Sequence, residues 1–223
     1  MAKTKSKRRL IIILSVAIAL LAAGGGYVIK MGNEQKAMSA IETSEFLPGV
    51  YAIKTEFVNV FLFESGGKYI AVDAGINSKS VREGLESLGI ASENVAAVLL
   101  THTHGDHTAG LKVFEKAEIY GVNAKNAGRV VSDGEIFSVA GAEVQVISTP
   151  GHAEDSVCYL INRKYLFVGD NMSLKENKIG LFNSVYNKSD EQQRRDIEKI
   201  SGLEGVEYII SAHYGYTREP VFP

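Results

Sequence analysis

The chain has 223 residues, 45% of them apolar, which is enough for one packed domain and an appendage. A single cysteine, Cys158, excludes an internal disulfide framework and the paired-cysteine type of zinc site. The net charge is −2, but five of the 24 basic residues crowd into positions 1–9, so the remainder carries about −7 and makes no general electrostatic partner for nucleic acid.

The leader 1–9 holds Lys3, Lys5, Lys7, Arg8 and Arg9 and no acid. Residues 10–29 follow without a charge. A helix of that length spans about 30 Å, the thickness of a bilayer's hydrocarbon core. Positive charge ahead of it places the leader in the cytoplasm and the rest outside. The competing reading is a cleaved secretory signal, with small residues at Ala22, Ala23 and Gly24 for cleavage. Under either reading the folded part is exported, as a membrane-anchored extracytoplasmic domain or a secreted one. Residues 30–45 are polar and read as a linker, and the domain is expected over 46–223.

Strands are expected over 49–55, 57–64 and 68–73, which are rich in Val, Phe, Tyr and Ile and broken by Ser65-Gly66-Gly67. Residues 80–88 predict a helix, with Val81, Leu85 and Leu88 on one face and Gly89 as its stop. Residues 95–101 predict a buried strand. A helix packed through Leu111 and Phe114 is expected over 108–116, a short strand over 118–120, and a further helix over 123–130. Hairpins are expected from 136–139 with 142–148, and from 156–161 with 164–168. Ser189, with Gln192 three residues on, signals a capping box for a helix that turns Ile197 and Ile200 inward. Residues 206–211 predict the last clear strand. Sheet-rich segments with interleaved helices suggest a helix-covered pair of sheets.

The chemistry concentrates at 95–107, VAAVLLTHTHGDH. An apolar run stops and His102, His104, Asp106 and His107 follow within six positions, although the whole chain has only five histidines. Imidazoles and a carboxylate gathered at the end of a buried strand point to a metal site of the zinc or iron type. The other two histidines, His152 and His213, and Asp170, which follows Gly169, also fall at expected strand ends. Taken singly, each has an ordinary reading as a turn or surface residue. Taken with the cluster, they complete a set that strand ends could gather along one edge.

HTHGDH (102–107), TPGH (149–152), LFVGD ending at Asp170, SAHYG around His213 and VDAG (72–75) together resemble the metallo-β-lactamase superfamily. The resemblance runs from about 50 to 215 and implies an α+β fold, a four-layer αββα sandwich with metals at one edge of the two sheets. It implies that His102, His104 and His152 hold one metal, that Asp106, His107 and His213 hold a second, and that Asp170 bridges them. Asp73 would support the site without touching a metal. Two zinc ions are the expected pair, with iron or manganese as other occupants. They would share a water, lower its pKa towards 7 and present hydroxide to an ester, lactone, thioester, amide or phosphodiester. Asp106 and Asp170 would act in catalysis as the anionic ligands that retain the second metal.

An aspartate at position 170 sets the chain apart from β-lactamases that use cysteine there. It resembles the glyoxalase II, lactonase, phosphodiesterase and ribonuclease branches, although neither the helical C-terminal domain of the first nor the inserted arm of the last is expected. Residues 172–190, with Lys175, Lys178 and Tyr186, and Tyr214 and Tyr216 beside His213, are candidates for orienting a small-molecule substrate, although each singly also reads as an ordinary loop residue. A mononuclear iron oxidoreductase of the same fold acting on sulfur substrates, and a non-catalytic membrane module, are the alternatives from other classes.

Overall fold

Val50–Thr55 (β2) and Val58–Ser65 (β3) carry β-branched and aromatic residues that suit a pleated surface, and they pair antiparallel around Glu56, whose φ is 68°. The computed structural model describes Gly25 and residues 38–223 except Ala124. Ser44–Leu47 (β1), β2, β3 and Lys68–Val72 (β4) form the antiparallel half of a seven-stranded sheet. Val95–Leu99 (β5), Glu118–Gly121 (β6) and Arg129–Val130 (β7) extend it in parallel. A six-stranded sheet holds Ile136–Val139 (β8), Ala142–Ser148 (β9), Val157–Ile161 (β10), Tyr165–Gly169 (β11), Tyr208–Ser211 (β14) and Gly215–Thr217 (β15). Ser173–Lys175 (β12) and Lys178–Gly180 (β13) make a separate small hairpin.

The inner faces of the two sheets share one core, in which Phe61, Val72 and Leu99 meet Val146, Tyr159, Phe167 and Ile210. Each such side chain contributes about 1.5–3 kcal/mol by leaving water. A second core lies on the outer face of the first sheet, where Ile53, Leu62 and Val98 pack beneath Val81 and Leu85 of α1 (Ser78–Ser87). On the other side α3 (Asp190–Ser201) buries Ile197 and Ile200, and its Lys199 reaches the Ser148 carbonyl of β9. Ser189 caps α3 by accepting from Gln192 N at 3.1 Å, as the sequence predicts. The reciprocal half of the box is not made, because the Gln192 side chain donates to Asp196 instead.

Strand direction creates the site. β9 and β10 are antiparallel, as are β10 and β11, so β9 and β11 run the same way; β14 is parallel to β11. β4 and β5 are likewise parallel. All five therefore end on a common edge within their sheets. The two edges are tied by Val157 N donating to Thr101 O at 2.8 Å and Asn59 N donating to Ala212 O at 2.9 Å.

Two expected helices are not formed. Over 108–116 the chain makes only the one-turn helix α2 (Gly105–Thr108) and a 3-10 turn, Leu111–Val113. Gly110 N donates to Gly75 O, and a Cβ at Gly110 would lie 2.0 Å from Ala74 O, so the turn after β4 holds this segment off the helical path. Over 123–130 the parallel pairing of Arg129 and Val130 with Tyr120 and Gly121 wins, reinforced by the Arg129 guanidinium over the Tyr120 and Phe137 rings. Sheet pairing also starts earlier than expected, since β1 takes in the last two residues of the stretch read as linker. Among the described residues no helix is long and apolar enough to cross a membrane. The anchor or signal read over 10–29 lies, but for Gly25, outside the described residues.

Gly84 of α1 sits on the sheet so closely that a Cβ would lie 2.2 Å from Ile53 Cγ2, and Ile53 is fully buried. Alanine would gain about 1 kcal/mol in helix propensity, but forcing a methyl into this contact costs about 1–3 kcal/mol. Gly84→Ala is therefore expected to lower the midpoint of chemical denaturation, and an unchanged or raised midpoint would contradict this packing.

Candidate metal centre

Each candidate residue leaves its strand at the common edge. Asp73 follows β4, His102 to His107 follow β5, His152 follows β9, Asp170 follows β11 and His213 follows β14. Gly169 permits the exit of Asp170: its φ is 51°, and a Cβ there would lie 2.5 Å from Thr101 Oγ1. The structure brings all seven proposed ligands together in two groups that share one carboxylate. His102, His104, His152 and Asp170 form the first; Asp106, His107, Asp170 and His213 form the second; within each, one donor atom per residue lies within 4.8 Å of the others.

Asp170 faces both ways. Its Oδ2 lies 3.4 Å from His152 Nε2 and 3.8 Å from His102 Nε2. Its Oδ1 lies 3.2 Å from His213 Nε2 and 3.3 Å from His107 Nε2. Asp106 Oδ2 stands 3.5 Å from His213 Nε2 and 3.7 Å from His107 Nε2. Two donors bound to one tetrahedral zinc stand about 3.3 Å apart. Among the described residues, His102 Nε2, His107 Nε2, His213 Nε2 and Asp170 Oδ1 are buried without a hydrogen-bond partner. An orphaned buried polar atom costs about 1–3 kcal/mol. Four of them converging at ligand spacing, each a nitrogen or carboxylate oxygen, fit a pair of divalent cations.

The opposite nitrogen is anchored in four of the five rings. His107 Nδ1 lies 2.8 Å from Asp73 Oδ2, His213 Nδ1 2.8 Å from the Phe57 carbonyl, His102 Nδ1 3.1 Å from Thr101 Oγ1 and His152 Nδ1 3.2 Å from Asn187 Oδ1. Each anchor leaves Nε2 directed at the centre. His104 turns its Nδ1 inward instead, 3.0 Å from His152 Nε2. Asp73 has the supporting place expected of it: it also accepts from Thr101 N and Thr101 Oγ1, and holds a left-handed φ of 62° while doing so. The spacing of histidines and aspartates gives no sign of Thr101, Asn187 or Phe57; only Thr101 has a local signal, its place beside the cluster.

His104 is exposed and the Asp106 side chain is 24% exposed, whereas the other five candidate residues are buried, so the approach from solvent runs over residues 104–106. Phe182, which the sequence reading passed over, lies 5.1 Å from the His152 ring and 5.6 Å from His213, and Phe57 stacks on His213. Tyr186 and Tyr214 reach the site through the Phe182 ring, at 6.5 and 5.9 Å. Tyr216 turns away towards Phe46 and Tyr208. Lys175 and Lys178 face each other across the β12–β13 hairpin and are exposed.

Burial alone would raise the pKa of Asp170, but the imidazoles of His213 and His107 outweigh it and hold the carboxyl well below its usual range. Burial lowers His102, and the neighbouring His107 lowers it further. For His213 burial again favours the neutral ring, yet Asp170 and Asp106 push it up to about 9. A pKa raised on folding stabilises the fold fully below the unfolded value, about 6.5, and the contribution fades as pH rises through the folded value. Stripped by a chelator, the chain should thus lose stability between about pH 6.5 and 9 through His213. A thermal midpoint flat or rising over that window would show that Asp170 does not hold this proton.

Residues 53–122 match the family model described as the metallo-beta-lactamase superfamily. Among curated proteins, a lactamase-like protein of Pestalotiopsis microspora is 35% identical over 136 residues, 56% of this chain and 41% of the relative. A protein of Claviceps purpurea named atrochrysone carboxyl ACP thioesterase is 34% identical over 122 residues, 51% of this chain and 39% of the relative. The chain spans about two-fifths of the length of the curated relatives it matches. Among solved structures, a metallo-beta-lactamase family protein from Thermus thermophilus superposes with a TM-score of 0.63 at 22% identity, over 78% of this chain and 76% of the other. A beta-lactamase from Chitinophaga pinensis gives 0.61 at 16%, over 81% and 80%. At such identities the structures speak for the fold alone, and it is the same two-sheet fold. Residues 53–122, the strands and loop that carry HTHGDH, thus match the metallo-beta-lactamase superfamily in sequence, and the described fold is similar to that of solved proteins of that name.

Proposed function

We propose that the chain is a metal-dependent hydrolase that holds two divalent cations, with His102, His104 and His152 on the first, Asp106, His107 and His213 on the second, and Asp170 between them. The observation that carries this reading is the convergence of the orphaned, buried Nε2 atoms of His102, His107 and His213 on the two oxygens of one buried carboxylate. A donor set of imidazoles and carboxylates without thiolate suits zinc, and also iron or manganese. Bound there, the cations would supply Lewis acidity, polarising a substrate oxygen and lowering the pKa of water.

The chain's own residues do the rest. Asp73, Phe57, Thr101 and Asn187 hold four imidazoles in the tautomer and orientation that leave Nε2 inward. Asp170 and Asp106 contribute the negative charge that retains two cations close together. Phe182 and Phe57 form apolar walls beside His152 and His213, which limits water there and strengthens every charge interaction in the site. The exposed side, at His104 and Asp106, admits a small molecule with an ester, lactone, thioester, amide or phosphodiester bond. The thioesterase names among the relatives put a thioester first among these.

Export is part of the same proposal: the uncharged stretch 10–29 behind a basic leader would anchor the domain outside the cytoplasm, or be cleaved to release it.

The purified full chain is expected to contain two zinc ions and to hydrolyse at least one member of a panel of thioesters, esters, lactones and phosphodiesters. Chelation should abolish the activity and added zinc restore it. His104→Ala should lower it by more than about a hundredfold, since loss of a ligand costs more than the 10–100-fold of a supporting contact. Full activity in that variant would sink the mechanism, and one iron per chain with no hydrolysis would favour the oxidoreductase alternative. Cell fractionation is expected to place the chain in membranes or the medium; recovery of the full-length chain in the cytosol alone would rule out export.

A further inference from the structure

We infer that Asn187 and Gln193 are a pair of positioning residues that fix the tautomer of His152 and clamp the Phe182 loop to it, an inference that rests on the metal-centre reading above. Gln193 sits on α3 with no exposure to solvent. Its Nε2 donates to the backbone carbonyl of Asp170 at 3.2 Å, and its Oε1 accepts from the backbone N–H of Phe182 at 2.9 Å. Those two partners have fixed polarity, so the orientation of the Gln193 amide is determined.

That orientation then determines the next one. Asn187 Nδ2 faces three acceptors, Gln193 Oε1 at 2.8 Å, Asp190 Oδ1 at 2.8 Å and Phe182 O at 3.1 Å. Asn187 Oδ1 accepts from Gln193 Nε2 at 3.1 Å. Turning the Asn187 amide over would set donor against donor and acceptor against three acceptors. The atom 3.2 Å from His152 Nδ1 is thus an oxygen. His152 must therefore carry a proton on Nδ1, so that in the neutral ring the lone pair lies on Nε2, which faces Asp170 Oδ2 and His104 Nδ1.

The backbone adds a second grip. Lys188 N donates to His152 O and Ser189 N to Gly151 O, both at 2.9 Å. Gly151 lets α3 approach: a Cβ there would lie 2.4 Å from Gln193 N and Cα. One buried amide therefore ties together the backbone of Asp170, the loop bearing Phe182 and, through Asn187, the imidazole of His152. This role belongs to the first group of ligands, because the Nδ1 anchors of the second group, Asp73 and Phe57, lie on other elements.

The test is chelator-competition titration of the full chain with zinc, repeated with cobalt to follow its visible absorption, with thermal unfolding in parallel. The wild-type chain should take up two ions in two steps, and His104→Ala identifies the step that belongs to the first group. Asn187→Ala is expected to weaken that step about 10–100-fold, alter the cobalt spectrum and leave the other step in place. Asn187→Asp, which keeps an oxygen opposite His152 Nδ1 but sets its second oxygen against the three acceptors around Asn187 Nδ2, should recover part of the loss. If neither variant folds, nitrogen-15 spectra of the imidazoles in the zinc-loaded wild-type chain decide, with His152 expected to be protonated at Nδ1 and coordinated through Nε2. Unchanged steps in Asn187→Ala, equal weakening of both steps, no recovery in a folded Asn187→Asp, or a His152 coordinated through Nδ1 would overturn the inference while leaving the metal centre standing. A wild-type chain that takes up no ion would overturn both.

Discussion

Four buried imidazoles surround Asp170 with their Nε2 atoms aimed at its two oxygens, and that convergence is the constraint on which the rest of the molecule depends. Left without partners, such atoms would cost several kcal/mol in a low-dielectric interior. The fold can hold them because they are carried on the ends of β5, β9, β11 and β14, whose directions are fixed by ladders far from the site. The apolar core shared by the sheets, with Phe61 against Phe167, sets the spacing between those ends. Rigidity is thus supplied by hydrophobic burial and chemistry by the loops beyond it.

The supporting contacts divide the site in two. Around the second group, Asp73 links Thr101 and His107, and the carbonyl of Phe57 holds His213; both anchors come from the turns of the first sheet. Around the first group, His152 depends on the α3 side of the molecule through Asn187 and Gln193. Asp170, which belongs to both groups, touches both systems, by its carboxylate and by its backbone carbonyl. A change in the loop 182–187 would therefore reach the first group before the second, which gives the aromatic wall above the site a physical connection to the ligands below it.

Where local patterning and tertiary demand conflicted, tertiary demand won. Leu111 and Phe114 are spaced for a helix face, yet the turn after β4 takes the Gly110 N–H and leaves only short helical pieces. Residues 123–130 have composition compatible with a helix, but the open edge of β6 offers ladder bonds and Arg129 finds two aromatic faces. In both cases a backbone hydrogen bond to a distant segment outweighed a weak local preference.

The sequence by itself determined strands β2 to β6, β8 to β11 and β14, the α1 and α3 helices and the identity of the candidate ligands, because periodic burial and a dense HTHGDH cluster are local signals that survive without coordinates. His152, Asp170 and His213 were legible too, since each terminates an apolar run beside a glycine or a turn. Only the tertiary structure decided which donor faces which oxygen of Asp170, which nitrogen of each imidazole is anchored, and that Asn187, Gln193, Thr101 and Phe57 belong to the site. Apart from Thr101, which stands beside the cluster, these residues have no local pattern because they act through hydrogen bonds to groups as many as 156 positions away, and such contacts exist only once strand directions and core packing have set the distances.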